Sequence, residues 1–212
     1  MKDQFFKLTL VTSKKDTPLS KYLDFIAICV KSGITSVQLR EKNLSFNELF
    51  RLGKQLQLVL KPLSIPLIIN DNVDLAYQLG ADGVHLGQSD GCVVNARRKL
   101  GSNKIIGLTV DSPEQLYIAN TLPIDYVGVG AVFPSNNKSN VATIWGCEGL
   151  KKIAHLSIHP IVAIGGINET NASVVMQAGA DGIAAIGAFH DSNDLISTTK
   201  NLRSIIEGTQ YA

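Results

Sequence analysis

The chain has 212 residues, 45% of them hydrophobic and 18% charged, which suits one generous domain with its own core and excludes a disordered or fully solvated chain. Lys and Arg number 20 against 18 Asp and Glu, for a net charge of +2, so bulk attraction to nucleic acid or to an anionic membrane is excluded as a basis of function. Cys29, Cys92 and Cys147 are odd in number, far apart and without zinc-ligand spacing, which argues against a disulfide framework and fits a reducing compartment.

The N-terminal MKDQFFKLTLVTSKKD carries too short an apolar run for a secretion signal. No stretch approaches the roughly 18 apolar residues of a membrane span, so a cytoplasmic protein is expected. In chain order, strand-like runs begin at Phe5 (FFKLTLVT), Ser36 (SVQLR), Pro66 (PLIIN), Gly83 (GVHLG), Lys104 (KIIGLT), Asp125 (DYVGVG), Pro160 (PIVAIGG) and Asp181 (DGIAAIG). Helical patterns fill the intervals. LSKYLDFIAICVKSG follows the first run, and SFNELFRLGKQLQLVLK the second. In the latter, Phe46, Leu49, Phe50, Leu52, Leu56 and Val59 recur at steps of three and four. Ser45, with Glu48 three residues on, predicts a capping box. Several strands are almost entirely Val, Ile and Leu, as in parallel strands covered on both faces.

Eight such units in one domain, residues 1–212, predict a closed (β/α)8 barrel. A doubly wound open sheet is the competing architecture, but the Gly-rich dinucleotide fingerprint is missing from LVTSKKDTPLS. An internal echo favours the barrel. LGADGVHLG (Leu79–Gly87) returns as AGADGIAAIG (Ala178–Gly187), with weaker versions at SGITSVQL and LPIDYVGV, a spacing near fifty residues. Gly33, Gly80 and Gly179 fall where helices must stop in a left-handed cap.

In such a barrel, chemistry collects at the carboxyl ends of the strands. Those ends carry Arg40-Glu41-Lys42, Asn70-Asp71, Gln88 and Asp90, Thr109 and Asp111, Pro134-Ser135-Asn136-Asn137-Lys138, Gly165-Gly166, and Gly187. Asp71 and Asp90 together can hold Mg²⁺, a hard cation that completes its shell with water and substrate phosphate. Arg40, Lys42 and Lys138 suit a polyanion, and the glycines after strands seven and eight resemble a backbone phosphate site. Plainer readings stand beside these. Either Asp can be a helix N-cap, Arg40-Glu41-Lys42 a salt-bridged turn, Gly165-Gly166 a tight turn, and His85 a packed core histidine. His155, His159 and His190 show no ligand spacing, and the long polar stretch Lys138–Trp145 has the composition of a lid.

The ordered motifs QLREK (Gln38–Lys42), IIND (Ile68–Asp71), GADGVHLGQSD (Gly80–Asp90), IIGLT (Ile105–Thr109), VGAVFPSNNK (Val129–Lys138), AIGGI (Ala163–Ile167) and AGADGIAAIG (Ala178–Gly187) resemble the thiamine-phosphate synthase family. The resemblance implies a transferase that joins 4-amino-5-hydroxymethyl-2-methylpyrimidine diphosphate to hydroxyethylthiazole phosphate, releasing pyrophosphate. It implies that Gln38, Leu39, Arg40, Glu41, Lys42 and Asn70 contact the pyrimidine diphosphate. By the same resemblance, Asp71 and Asp90 bind Mg²⁺, and Thr109 and Lys138 meet the pyrophosphate. Ser135, Asn136, Asn137, Gly166, Ile186 and Gly187 take the thiazole phosphate. Arg40, Lys42, Thr109 and Lys138 are the catalytic set.

The chain departs from the family pattern at Thr109, where Ser is usual, and at Asp111, where His is common. It departs again at Asn137, in place of a Thr, and at Gly187, in place of a Ser. Two other functions fit the same barrel: a thiazole tautomerase, which has no use for the two acids, and a non-catalytic phosphate-binding protein. The expected partners are small molecules, with no nucleic acid and no membrane, and oligomeric state is left open.

Overall fold

A computed structural model of the chain describes residues 4–135 and 143–208. Eight short parallel strands close into a ring in chain order: β1 (Leu8–Val11), β2 (Ser36–Leu39), β3 (Leu67–Asn70), β4 (Gly83–Leu86), β5 (Ile105–Val110), β6 (Tyr126–Val129), β7 (Ile161–Ile164) and β8 (Gly182–Ala185). The seam pairs Leu8 with Ile183, Thr9 with Ala184 and Leu10 with Ala185. Each strand-like run of the sequence is therefore a barrel strand. The connecting helices are α1 (Leu19–Ser32), α2 (Phe46–Leu60), α3 (Val73–Leu79), α4 (Val93–Leu100), α5 (Pro113–Ala119), α6 (Gly146–Leu156) and α7 (Ala172–Gln177). After β8 come a short α8 (Gly187–His190) and the closing α9 (Leu195–Gly208). Among the described residues, no helix is long and apolar enough to cross a membrane.

Side chains alternate across each strand. One set faces the helices: Leu8 and Leu10, Val37 and Leu39, Leu67 and Ile69, Val84 and Leu86, and their counterparts through Ile183 and Ala185 all belong to one buried apolar cluster. Burying each such side chain contributes about 1.5–3 kcal/mol, which makes this outer layer the main stabilising term. The other set fills the barrel. Within it, Val11, Tyr126, Val162 and Ala184 form a small apolar cluster, while the Thr9 and Ser36 hydroxyls bond to each other at 2.8 Å.

Local signals read from the sequence hold. Ser45 and Glu48 form the reciprocal capping box of α2, and Leu52, Leu56 and Leu60 are the buried stripe of that helix. Gly80 ends α3 in the left-handed conformation, and Gly33 and Gly179 also have positive φ at helix ends.

The fifty-residue echo has a physical cause at the amino end of the barrel. The Thr35 hydroxyl accepts the Leu8 N–H at 2.9 Å, and an Asp carboxylate does the same job at the three equivalent positions. Asp82 accepts from Leu67 at 2.9 Å, Asp125 from Ile106 at 2.7 Å and Asp181 from Ile161 at 2.8 Å. The residue before each even-numbered strand thus satisfies a backbone donor at the start of the preceding odd-numbered one. Replacing Asp82 by Ala should lower unfolding stability by about 1–3 kcal/mol, the cost of an unmet donor, as read by urea titration. The KM values should not move.

Candidate active site

At the carboxyl end of the barrel lies a cavity of about 760 Å³. The inward positions near the strand ends are polar: Gln38 of β2, Asn70 of β3, His85 of β4 and Thr109 of β5 all line it. Period-two alternation sends Leu39 the other way, into the outer apolar layer, where it is buried and can offer the cavity only its backbone. Arg40 and Lys42, in the loop after β2, line the cavity as well as a second groove beside it. Glu41 between them borders only the groove, and its carboxylate accepts the Lys14 N–H at 2.8 Å. The Arg40 N–H donates to the Thr12 hydroxyl at 2.8 Å, which locks this loop onto the end of β1.

The strand-end acids are not spent on capping. The N-cap of α3 is Asn72, whose side chain accepts the Leu75 N–H, and the N-cap of α4 is Cys92. Asp71 has φ +64, a left-handed conformation that only a few non-glycine residue types tolerate. Its N–H donates to the carbonyl of His85 at 2.8 Å, which draws it toward the loop after β4. Asp90 is held in that loop by the Gly87 N–H, donated to its carboxylate at 2.7 Å. The two carboxyls come close enough to share a hydrogen bond when one is protonated. Lost hydration, that bond and the charge of Asp90 push Asp71 up to about 6, against the opposing pull of Arg40 and Lys42.

Below the acids, His85 lies across the barrel. Its Nδ1 is 2.9 Å from the Tyr126 hydroxyl and its Nε2 is 2.8 Å from the Thr109 hydroxyl. The ring has room because its neighbours are glycines. A Cβ on Gly107 would come within 2.5 Å of the His85 and Tyr126 rings, and one on Gly128 within 2.8 Å of His85. His85 is thus a hydrogen-bonded interior residue, and it also floors the cavity and holds the Thr109 hydroxyl. The Thr109 carbonyl accepts from the Gln88 amide at 2.5 Å. Asp111 lines the same side, its backbone N–H donated to the Gln115 side chain and its carbonyl accepting from Thr143.

Opposite, Ser135, Gly166, Ile186 and Gly187 line the other half. Gly165 and Gly166 have φ +102 and +65 and pack against the segment after β6. A Cβ on Gly166 would lie 2.5 Å from the carbonyl oxygen of Pro134, so the pair is a tight turn that also borders the cavity. Asn136, Asn137 and Lys138, and most of the stretch Lys138–Trp145, lie outside the described residues. Of the residues singled out in the sequence, the structure gathers Gln38, Arg40, Lys42, Asn70, Asp71, Asp90, Thr109, Ser135, Gly166, Ile186 and Gly187 around one space. It sets Leu39 and Glu41 beside that space. Gly107, inside the IIGLT motif, and Tyr126 and Gly128, outside the motifs, support it without having been singled out in the sequence.

The chain matches the thiamine monophosphate synthase family over residues 8–189. It is 54% identical over 207 residues to a thiamine-phosphate synthase of Chlamydia abortus and 52% identical over 207 residues to that of Chlamydia caviae, in each case covering 98% of both chains. Among solved structures, thiamine phosphate pyrophosphorylase from Pyrococcus furiosus superposes with a TM-score of 0.88 at 34% identity, covering 99% of both chains. With a barrel of the same order and a rim carrying QLREK, IIND and the second acid in place, the chain belongs to the thiamine monophosphate synthase family, transferases that condense a pyrimidine and a thiazole into thiamine phosphate.

Proposed function

We propose that the pyrimidine diphosphate binds on the β2–β5 side of the cavity and the thiazole phosphate on the β6–β8 side, and that Asp71 and Asp90 hold Mg²⁺ at the diphosphate. The observation that carries this reading is the facing pair of carboxylates beside Arg40 and Lys42, two like charges that a divalent cation would relieve. The donor set suits the ion. Among the described residues no cluster of three His, Cys, Asp or Glu is present, and Mg²⁺ is commonly held by one or two carboxylates, with water and substrate oxygens completing the shell. When bound, the ion would neutralise charge on the departing diphosphate.

The reaction breaks the C–O bond between the pyrimidinylmethyl carbon and the diphosphate and forms a C–N bond from the thiazole nitrogen to that carbon. The leaving group departs with the bonding pair, and the electron-rich aminopyrimidine stabilises the cation left behind. No protein nucleophile is needed. The residues instead bind charge and position the two reactants. Arg40 presents a guanidinium fork and Lys42 a point charge to the diphosphate. Gln38 and Asn70 offer amides to the pyrimidine half, and Thr109 offers a hydroxyl whose direction is set by His85. Gly166, Ile186 and Gly187 bring backbone to the thiazole phosphate, with Ser135 beside them. The family motif extends that role to Asn136, Asn137 and Lys138. Free cysteines, with Cys92 exposed, favour a cytoplasmic setting for the activity.

With both substrates and Mg²⁺ present, equal amounts of thiamine phosphate and pyrophosphate should form. Asp71→Ala and Asp90→Ala should each lower kcat by about 100-fold or more. Pyrophosphate release at an undiminished rate in both variants would overturn the metal assignment.

A second test needs no turnover. Because folding raises the Asp71 pKa from 3.8 to about 6, the charged carboxylate disfavours the folded state. The stability present at acid pH is therefore lost as pH rises through about 6. In chelator-treated protein, Asp71→Asn should raise Tm at pH 8 and leave it unchanged below pH 3.8. Added Mg²⁺ should raise the wild-type Tm and not that of the variant.

A further inference from the structure

His190 closes α8 and belongs to no motif. Its ring packs against Tyr22 and Phe25 of α1, with centroids 6.0 and 4.9 Å away. Nδ1 lies 2.9 Å from the carbonyl oxygen of Ile186. Nε2 lies 3.1 Å from the backbone nitrogen of Ser13 and 3.2 Å from the Tyr22 hydroxyl. A carbonyl can only accept and a backbone N–H can only donate. The proton of the neutral ring therefore sits on Nδ1, and Nε2 accepts from the Ser13 N–H, which it shares with the Tyr22 hydroxyl at the same 3.1 Å. A second proton, on Nε2, would end that bond and leave the Ser13 N–H to the Tyr22 hydroxyl alone.

The two partners lie at different strand exits. Ile186 follows β8 and lines the cavity together with Gly187 and Ala188. Ser13 follows β1, 177 residues away in the chain, in the loop that also gives its Lys14 N–H to Glu41. The imidazole thus spans the seam at which the barrel closes. We propose that His190 is a positioning residue for the thiazole-phosphate end of the cavity: as the neutral Nδ1–H tautomer it holds the Ile186–Gly187 backbone against the loop after β1, and acid releases it. This rests on the reading that places the thiazole phosphate at Gly166, Ile186 and Gly187.

The groups facing the ring decide the sign of the pH dependence. They are Tyr22 and Phe25 of α1, Ser13 and Lys15 after β1, Glu41 after β2, and Asp191 on its own turn. Burial and Lys15 favour the neutral ring; the Ile186 carbonyl, Glu41 and Asp191 favour the charged one. Burial dominates, so His190 titrates below the ordinary 6.5. The tie is intact at neutral pH and is lost only as pH falls beneath the usual histidine range.

The experiment compares His190→Phe, His190→Asn and Gly166→Ala with the wild type in KM for each substrate from pH 5 to pH 8, with imidazole ¹⁵N shifts of the full-length protein as a readout independent of turnover. Expected are an Nδ1–H tautomer for His190 and, in His190→Phe at pH 7.5, a KM for the thiazole phosphate raised about tenfold with the pyrimidine diphosphate KM within about twofold. His190→Asn, which can still donate to the Ile186 carbonyl but does not titrate, should recover part of that loss. It should also lack the extra acid-side rise of the wild type, whatever the substrate's own phosphate contributes. Should His190→Phe fail to fold, the Asn variant and the ¹⁵N tautomer decide. An Nε2–H tautomer, or an unchanged thiazole-phosphate KM in the His190 variants while Gly166→Ala raises it, overturns the role of His190 and leaves the subsite standing. If Gly166→Ala also leaves that KM unchanged, the subsite reading fails, and the role of His190 with it.

Discussion

A closed ring of parallel strands allows no freedom about which way its parts face. Every second side chain must enter the barrel, every other one must meet the helices, and all carboxyl ends open on the same side. The composition of the chain follows from this. Leu, Ile and Val occupy the outward positions with almost no interruption, because the helices shield them from water. The inward positions combine an apolar cluster at Val11, Tyr126, Val162 and Ala184 with polar side chains at Gln38, Asn70, His85 and Thr109 that line the cavity. At the opposite end, where strands begin with donors in need of acceptors, Thr35, Asp82, Asp125 and Asp181 supply them. Stability and chemistry thus occupy opposite ends of one scaffold.

The rim is electrostatically incomplete by construction. Asp71 takes up a costly backbone conformation, and Asp90 is fastened by its own loop, so that two negative groups face each other next to Arg40 and Lys42. Such an arrangement costs stability in isolation, and on the proposed reading a cation and a polyanion would restore it. It is preorganised for charge that the protein does not itself carry. The glycine turn after β7 and the segment after β8 line the same cavity, which is what the proposed division between the two reactants rests on.

What the sequence disclosed was mostly local. The strands, the α2 capping box and the glycine helix ends depend on residues a few positions apart, and all are present in the fold. The echo at fifty residues was visible as a pattern, but its cause, an acceptor for the neighbouring strand's first donor, needed the strands side by side. Strand-end position alone left Asp71 and Asp90 open between metal ligands and helix caps, and the fold gives the capping positions to Asn72 and Cys92 instead. Leu39 and Glu41 lie within a motif whose alternate residues point elsewhere, so contiguity in the chain overstated their contact with the cavity. The bonds of His85 span 24 and 41 residues and the Ser13 bond of His190 spans 177, separations at which no spacing rule operates.

The crosswise imidazole at the bottom of the cavity has one more effect. Gly107 and Gly128 give up their side chains so that His85 and Tyr126 can lie where a narrower filling would otherwise leave a shaft. That ring is bracketed by the Tyr126 phenol at 2.9 Å and the Thr109 hydroxyl at 2.8 Å. The fold thereby closes the barrel beneath the cavity with a side chain bonded at both ends, so the floor is set by the His85, Tyr126 and Thr109 contacts and by the two glycines that leave them room.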